Sequence, residues 1–502
     1  MQRSLHLYIA CLLLTAMAGC GSARYSFNQR YAPGVLREDV ALLQNILEAD
    51  HPSLYWYTPK DSMDRYFAGT IAGITDSLTE TQFRNRVASL VSRIRCGHTS
   101  VRFSAAFQRL IIKRRYPEFP LFLKTWGDSI VVAGNSFAGD RVLKRGTVIT
   151  SINGRNNRQL LDSLFSLIST DGFSDNYKSQ AVSGNFPTYY KYTFGLSRKY
   201  TIGYIDSTGQ EAFVDRYNYA GRRDTTFRQD STRQSALPFP ALTRKELRRA
   251  KLLNKRSLQI DTVTHSAFMR LGTFASGRLR TFFRRSFRTI RQQHIRNLVV
   301  DLRENGGGDV NTEILLTKYL SDHPFKVADT VAAVRRSLKY ASYIHPSLLY
   351  WLTLHFGAKK MQDGRFHERR YEVHLFQPRD RTHFNGNIYV LQGGYTFSAS
   401  TMFISGIMGQ SNVQVIGEET GGGSYGNSAM HLPTIVLPHS GIRVVLPLFR
   451  TVLNAQRSKT GHGIIPDIYV PPNSADIKRG IDPKITRVME LIRQRNKNTG
   501  SL

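Results

Sequence analysis

Two short runs restrict what this chain can fold into more than any other feature. Asn297-Leu-Val-Val-Asp-Leu302 is a buried-strand run, and it breaks into Arg303-Glu-Asn-Gly-Gly-Gly-Asp309. Asn387-Ile-Tyr-Val-Leu-Gln392 is a second such run, and it breaks into Gly393-Gly-Tyr-Thr-Phe-Ser-Ala-Ser400. A helical pattern then begins with Met402, Phe403, Ile404, Ile407 and Met408, so strand passes directly into helix. Glycines after a strand let the backbone turn sharply and present bare N–H groups, which suits the binding of a developing negative charge. A serine at a strand-to-helix junction sits at the positive end of the helix dipole. Helix capping by Ser398 or Ser400 is the alternative that the spacing leaves open.

The rest of the 502 residues divides into segments of different periodicity, enough for two to four domains at roughly 100–200 residues each. Residues 1–19 read as an export signal and 20–34 as a tether. Apolar residues at helical spacing (Leu42, Leu43, Ile46, Leu47, then Phe83, Val87, Leu90, Val91, Ile94) predict a helical cap over 35–104, with Cys96-Gly97-His98-Thr99 following the last helix. Strand signals flank Gly127-Asp128, and a module is expected over 118–175. Residues 176–260 are read as a β-rich segment and a basic connector, 265–475 as an α/β core, and 476–502 as a C-terminal helix and tail. Leu279, Phe282, Phe283, Phe287 and Ile290 share one helical face, and Arg280, Arg284, Arg288 and Arg291 the opposite one.

The N-terminus bears on compartment. An apolar run from Leu7 to Met17, too short to span a bilayer, ends in Ala18-Gly19-Cys20. This resembles the lipobox of bacterial lipoproteins, which implies cleavage before Cys20 and lipidation of that residue. The expected location is the bacterial cell envelope, periplasmic or outer-membrane, with anchoring through Cys20. Three cysteines occur, Cys11, Cys20 and Cys96, which excludes a disulfide scaffold. Lys and Arg number 69 against 37 acidic residues, a formal charge of +32. Such a charge suits a nucleic acid or an anionic lipid surface. No aromatic platform or base-reading motif accompanies it, so no nucleic-acid partner is expected and the membrane surface is the more natural one.

Four segments in a fixed order carry a family resemblance: Asp301-Leu-Arg-Glu-Asn-Gly-Gly-Gly308, Phe397-Ser-Ala-Ser400, Val415-Ile-Gly-Glu418 leading into Gly421-Gly-Gly423, and Gly463-Ile-Ile-Pro-Asp-Ile468. Together they resemble the C-terminal processing (tail-specific) serine peptidases, a family that also holds tricorn-type proteases and interphotoreceptor retinoid-binding modules. The resemblance implies a mixed α/β fold: a crotonase/ClpP-like peptidase core with a helical N-terminal cap and a degenerate PDZ-like module, to whose closing part Gly146–Gly154 is similar. It implies polypeptide substrates, Ser398 as nucleophile, and an oxyanion hole from the amides of Ala399 and a glycine of 306–308, here Gly307.

The chain also departs from that family. Tail-specific members place a lysine base 25 residues after the nucleophile, where this chain has Gly423. The tricorn-like branch supplies a histidine instead, and Gly97-His98-Thr99 resembles that segment, which implies His98 as base. An imidazole near its ordinary pKa of about 6.5 suits the removal of a hydroxyl proton. Tricorn-type sites put a serine just before that histidine, whereas Gly97 stands here, and no acidic orienter can be picked out. Gly422-Gly-Ser-Tyr-Gly426 matches the nucleophile-elbow pattern, but Pro433 follows too soon for the helix it requires, so Ser424 is set aside. No phosphate-binding lysine loop, calcium loop or zinc-peptidase motif occurs, and no cofactor or metal is expected. Two rival readings stay open: a catalytically silent binding protein on the same scaffold, and a basic surface-adhesion protein.

Overall fold

The computed structural model describes residues 25–113, 116–219 and 243–498. The signal segment and Cys20 lie outside the described residues. Helical spacing at the N-terminal end resolves into α1 (Pro33–Asp50), α2 (Lys60–Ala72) and α3 (Glu80–Ser92). Thr79 and Gln82 start α3 with a reciprocal capping box, which satisfies two otherwise unpaired N–H groups. These helices have no separate core. Leu43, Ile46, Phe83 and Val87 pack in one cluster with Ile435, Val444, Leu446 and Phe449. Buried Asp39 of α1 fixes the docking by accepting hydrogen bonds from Ser440 N (2.9 Å) and Ser440 Oγ (2.6 Å). The segment after α3, which contains His98, is therefore held against the C-terminal half of the chain.

The next unit is an antiparallel sheet of β1 (Leu121–Trp126), β2 (Ser129–Asn135), β3 (Val148–Ile152), β4 (Lys199–Ile205) and β5 (Glu211–Tyr217). Three helices, α4 (Asn157–Phe165), α5 (Asn176–Gly184) and α6 (Phe186–Phe194), lie between β3 and β4. The expected boundary at 175/176 is corrected here. Ile149 and Ile152 of β3 pair with Tyr204 and Ile202 of β4, and one cluster runs from Phe119 to Ile202. Non-local strand pairing erases a break that composition suggested. The likeness to a PDZ domain rests on the sequence of Gly146–Gly154.

The C-terminal half is built on a six-stranded sheet in chain order: β6 (Arg256–Asp261), β7 (Ser266–Leu271), β8 (Asn297–Asp301), β9 (Asn387–Gln392), β10 (Val413–Gly417) and β11 (Ile468–Tyr469). Only β6 is antiparallel to its neighbour; its pairing with β7 adds an edge strand ahead of the expected core start at 265. On one face α7 (Leu279–Gln292), α8 (Val310–Leu320) and α9 (Ala399–Ile407) bury Phe283, Phe287, Leu316, Phe403 and Ile404 against Leu298, Val300 and Val390. At roughly 1.5–3 kcal/mol per buried large apolar side chain, this contact dominates the layer. Val488 and Ile492 of α10 (Pro483–Asn498) cover Val299, Tyr389 and Ile416 on the other face, so the expected tail is a structural layer.

Strands buried on both faces need apolar residues at every position, which is why β8 and β9 lack alternation. Their register aligns Val300 with Val390 and Asp301 with Leu391. Both strands therefore end together, and the glycine run after β8 emerges beside the serine loop after β9. The C-terminal edge of a parallel sheet is where α/β proteins place their sites.

Candidate active site

Ser398 stands between β9 and α9 with φ 55° and ψ −125°, a left-handed backbone that costs a non-glycine residue on the order of 1–3 kcal/mol. Its neighbours hold it there. Thr396 Oγ1 donates to Leu302 O at 2.9 Å and accepts from Gly393 N at 3.0 Å. Phe397 N donates to Asn305 O at 3.2 Å, tying the serine loop to the glycine run. Ser398 makes no side-chain cap bond to α9, so the capping alternative fails for it. Ser400 is fully buried and its Oγ has no partner.

The glycine run packs on this turn. Gly307 has φ +96°, and a Cβ there would lie 2.7 Å from Ser398 Cβ and 3.0 Å from Ala399 N. The sequence expectation for Gly307 needs adjustment, because its N–H already donates to Asn305 Oδ1 at 2.9 Å. Phe274 N holds the Gly307 carbonyl at 2.9 Å. The peptide is trans, so the Gly308 N–H points away from Phe274. Neither the Gly308 nor the Ala399 N–H has a hydrogen-bond partner among the described residues.

His98 comes from the far end of the chain, 300 positions before Ser398. A left-handed turn at Arg95 (φ 59°) reverses the backbone after α3. The His98 ring then settles 4.8 Å, centroid to centroid, from that of Phe397. Its Nδ1 is buried and has no hydrogen-bond partner among the described residues, and burial lowers its pKa to about 4. The imidazole is consequently neutral through the physiological range. No hydrogen bond joins it to Ser398. Gly97 has a steric explanation: a Cβ there would fall 2.4 Å from Phe397 Cζ, which leaves no room for a serine before the histidine.

Asp171 is the residue that sequence reasoning missed. It lies in a loop of small and polar residues after α4, and Asp171-Gly172 reads as an ordinary turn. Its Oδ1 accepts the Gly97 N–H at 2.8 Å, and the Gly423 backbone also hydrogen-bonds to the carboxyl. Oδ2 is buried without a partner among the described residues, and burial pushes the carboxyl up to about 7 against those two bonds. The same loop takes Arg95 O through Gly172 N (3.0 Å) and Gly461 O through Phe173 N (2.7 Å). It thus clamps the histidine turn to the C-terminal half.

Gly423, the position of the missing lysine, has no space for a side chain, since a Cβ would lie 2.6 Å from Gly426 O. Ser424 donates to His462 O at 3.0 Å and precedes a strand, Gly426–Ala429, as its rejection required. Cys96 is buried, and desolvation raises its thiol to about 12, which leaves it unreactive.

Comparison with known proteins bears on the fold. Residues 265–470 match the model of peptidase family S41. No curated protein sequence matches the chain. Among solved structures, mature CPAF has 14% identity and a TM-score of 0.64, over 93% of this chain and 98% of that one. Its complex with lactacystin gives 14% identity and a TM-score of 0.62, over 93% and 99%. The photosystem II D1 C-terminal processing protease has 13% identity and a TM-score of 0.41, over 87% and 93%. The family match places residues 265–470 among the serine-type peptidases. The matched region, residues 265–470, is a peptidase family S41 domain.

Proposed function

We propose that the protein is an active, exported and lipid-anchored serine peptidase that cleaves polypeptides by acyl transfer through Ser398. The observation that carries this is an uncapped, left-handed Ser398 directly after Phe397, whose ring packs on the neutral imidazole of His98. A strained serine whose hydroxyl caps nothing is free to attack, and a neutral imidazole beside it can accept the hydroxyl proton. The oxyanion falls to the Ala399 N–H, at the positive end of α9, with a glycine amide opposite. Gly308 offers an unpartnered N–H there; Gly307 would have to share its own with Asn305. His98 then returns the proton to the leaving amine, and water repeats the sequence on the acyl-enzyme. Asp171 serves as a positioning residue, holding the Gly97 backbone so that His98 stays over Phe397. The missing Ser398–His98 hydrogen bond fits an enzyme without substrate, where such contacts are loose.

A silent binding protein on the same scaffold is the competing reading, favoured by Gly423 where tail-specific members keep a lysine. Covalent labelling by a fluorophosphonate separates the two: labelling lost in Ser398→Ala supports the peptidase, and no labelling of the wild type overturns it. The lipobox-like Ala18-Gly19-Cys20 supports anchoring in a bacterial envelope, and the net charge of +32 supports contact with anionic lipid there.

A further inference from the structure

A cavity of about 720 Å³ opens beside the proposed catalytic turn, between α3, α5, α6 and the loops after β8 and β9. Arg84, Arg102, Lys124 and Arg303 line it, together with Glu304 and Tyr395. The acids around it are already committed. Arg303 pairs with Asp301 and Asp482, both at 2.7 Å; Glu304 pairs with Arg270; Glu418 pairs with Lys484 at 2.6 Å. Among the described residues, no acid lies within 4.0 Å of Lys124, Arg84 or Arg102. Lys124 Nζ donates instead to the neutral Gln180 Oε1 at 2.6 Å. Arg84 donates to Asn85 Oδ1 and Val101 O, both at 3.1 Å, and its Nε is buried with no partner among the described residues. Burial is the main cause that lowers the Lys124 ammonium to about 8; Glu418 and Glu304 oppose the shift from beyond ion-pair distance, and Lys484 and Arg303 add to it. Cations held out of water without a counter-charge are unfavourable until an anion joins them.

A row of aromatic rings leads from the cavity to the site. Tyr395 lines it three residues before Ser398, and the rings of Tyr395, Tyr177, Phe397 and His98 follow one another at 5.6, 5.1 and 4.8 Å. Gly394 packs so tightly on α5 that a Cβ would lie 2.8 Å from Cγ of Gln180, the partner of Lys124. We infer that this cavity is a subsite for a carboxylate of the bound polypeptide, held by Lys124 and Arg84. The inference rests on the peptidase reading for its occupant, and the carboxylate can come from an acidic side chain or from a chain end.

The test uses the mature chain carrying Ser398→Ala, so that bound peptide is not turned over, with binding read by fluorescence anisotropy. Four fluorescein-labelled peptides serve as probes: pentaalanine amide, pentaalanine free acid, and pentaalanine amides with Glu or Gln at the central position. At least one carboxylate peptide should bind about tenfold tighter than its amide counterpart, the size of a charge-assisted contact. A preference for Glu over Gln assigns a side chain, and a preference for free acid over amide assigns a chain end. Lys124→Met should remove that preference, Lys124→Arg should retain it, and binding of pentaalanine amide should not change. Equal binding of acid and amide peptides overturns the inference without reference to any variant. So does a preference that survives both Lys124→Met and Arg84→Met. Fluorophosphonate labelling of the wild type is read separately. Labelling without a carboxylate preference therefore removes only the subsite, and a preference without labelling removes only the peptidase reading.

Discussion

The imidazole of His98 lies 4.8 Å from the phenyl ring of Phe397, tilted by 40°, one residue before Ser398. Phe397 thus acts as the spacer between a histidine from the N-terminal half and a serine from the C-terminal half. Its ring also fills the space over Gly97, where any Cβ would collide with it at 2.4 Å. Gly97→Ser should therefore push the histidine turn off the ring rather than add an orienting hydroxyl. We expect at least a tenfold fall in kcat/KM from this change. Pairing it with Phe397→Leu, which opens the space, should recover part of the loss; peptide hydrolysis by the single and double variants checks this.

Ser398→Ala should abolish fluorophosphonate labelling, and His98→Ala should reduce cleavage by roughly 10²–10⁴-fold. The double variant should be little worse than either single one, because members of one catalytic unit are not additive. The backbone adds a second expectation. Alanine keeps the strain of φ 55°, whereas glycine does not. Ser398→Gly should melt above Ser398→Ala, by differential scanning calorimetry, despite both being inactive.

Two groups of the site, His98 and Asp171, give opposite pH dependences. His98 is lowered to about 4 from an ordinary 6.5, so between those values the unfolded chain binds the proton and the folded one does not. Its contribution makes stability fall as pH falls from about 6.5 to 4. Asp171 is raised to about 7 from 3.8, so in that window the folded state keeps a proton that the unfolded state has lost. Its contribution makes stability fall as pH rises from about 4 to 7. Urea denaturation should show a shallower alkaline loss in Asp171→Asn than in the wild type. The acid limb of kcat/KM should also lie nearer pH 4–5 than the 6.5 of a free imidazole.

Gly423→Lys should not install a lysine base. A Cβ there would lie only 2.6 Å from Gly426 O, and 3.7 Å from Asp171 Cβ. We expect roughly 2–4 kcal/mol of destabilisation from the forced shift, with lower activity rather than rescue of His98→Ala. Thermal melting and peptide cleavage measure the two effects.

Cys20→Ser should leave the protein unprocessed or release it from membranes. An acyl chain contributes roughly 0.8 kcal/mol per buried CH₂, so its loss is visible on fractionation. Unchanged mass and membrane association in the variant would argue against a lipid at that residue.

The sequence by itself determined the local pieces: the doubly buried strands Asn297–Asp301 and Asn387–Gln392, the glycine and serine turns that end them, and the amphipathic α7 with its arginine face. Each depends on residues close in the chain, whose period and backbone preferences act before any long-range contact forms. Only the tertiary structure decided which pieces meet. The cap shares its core with strands some 350 positions later, β4 closes the sheet begun by β1, and His98 reaches Phe397 because Asp171 fixes Gly97 to the chain's other half. Asp171 was illegible because an aspartate before glycine in a polar loop has no periodicity to mark it, and burial, not sequence, makes its carboxyl unusual. Burial likewise moved His98 from the ordinary imidazole range to about 4, since desolvation penalises a charge only once distant segments have excluded the water around it.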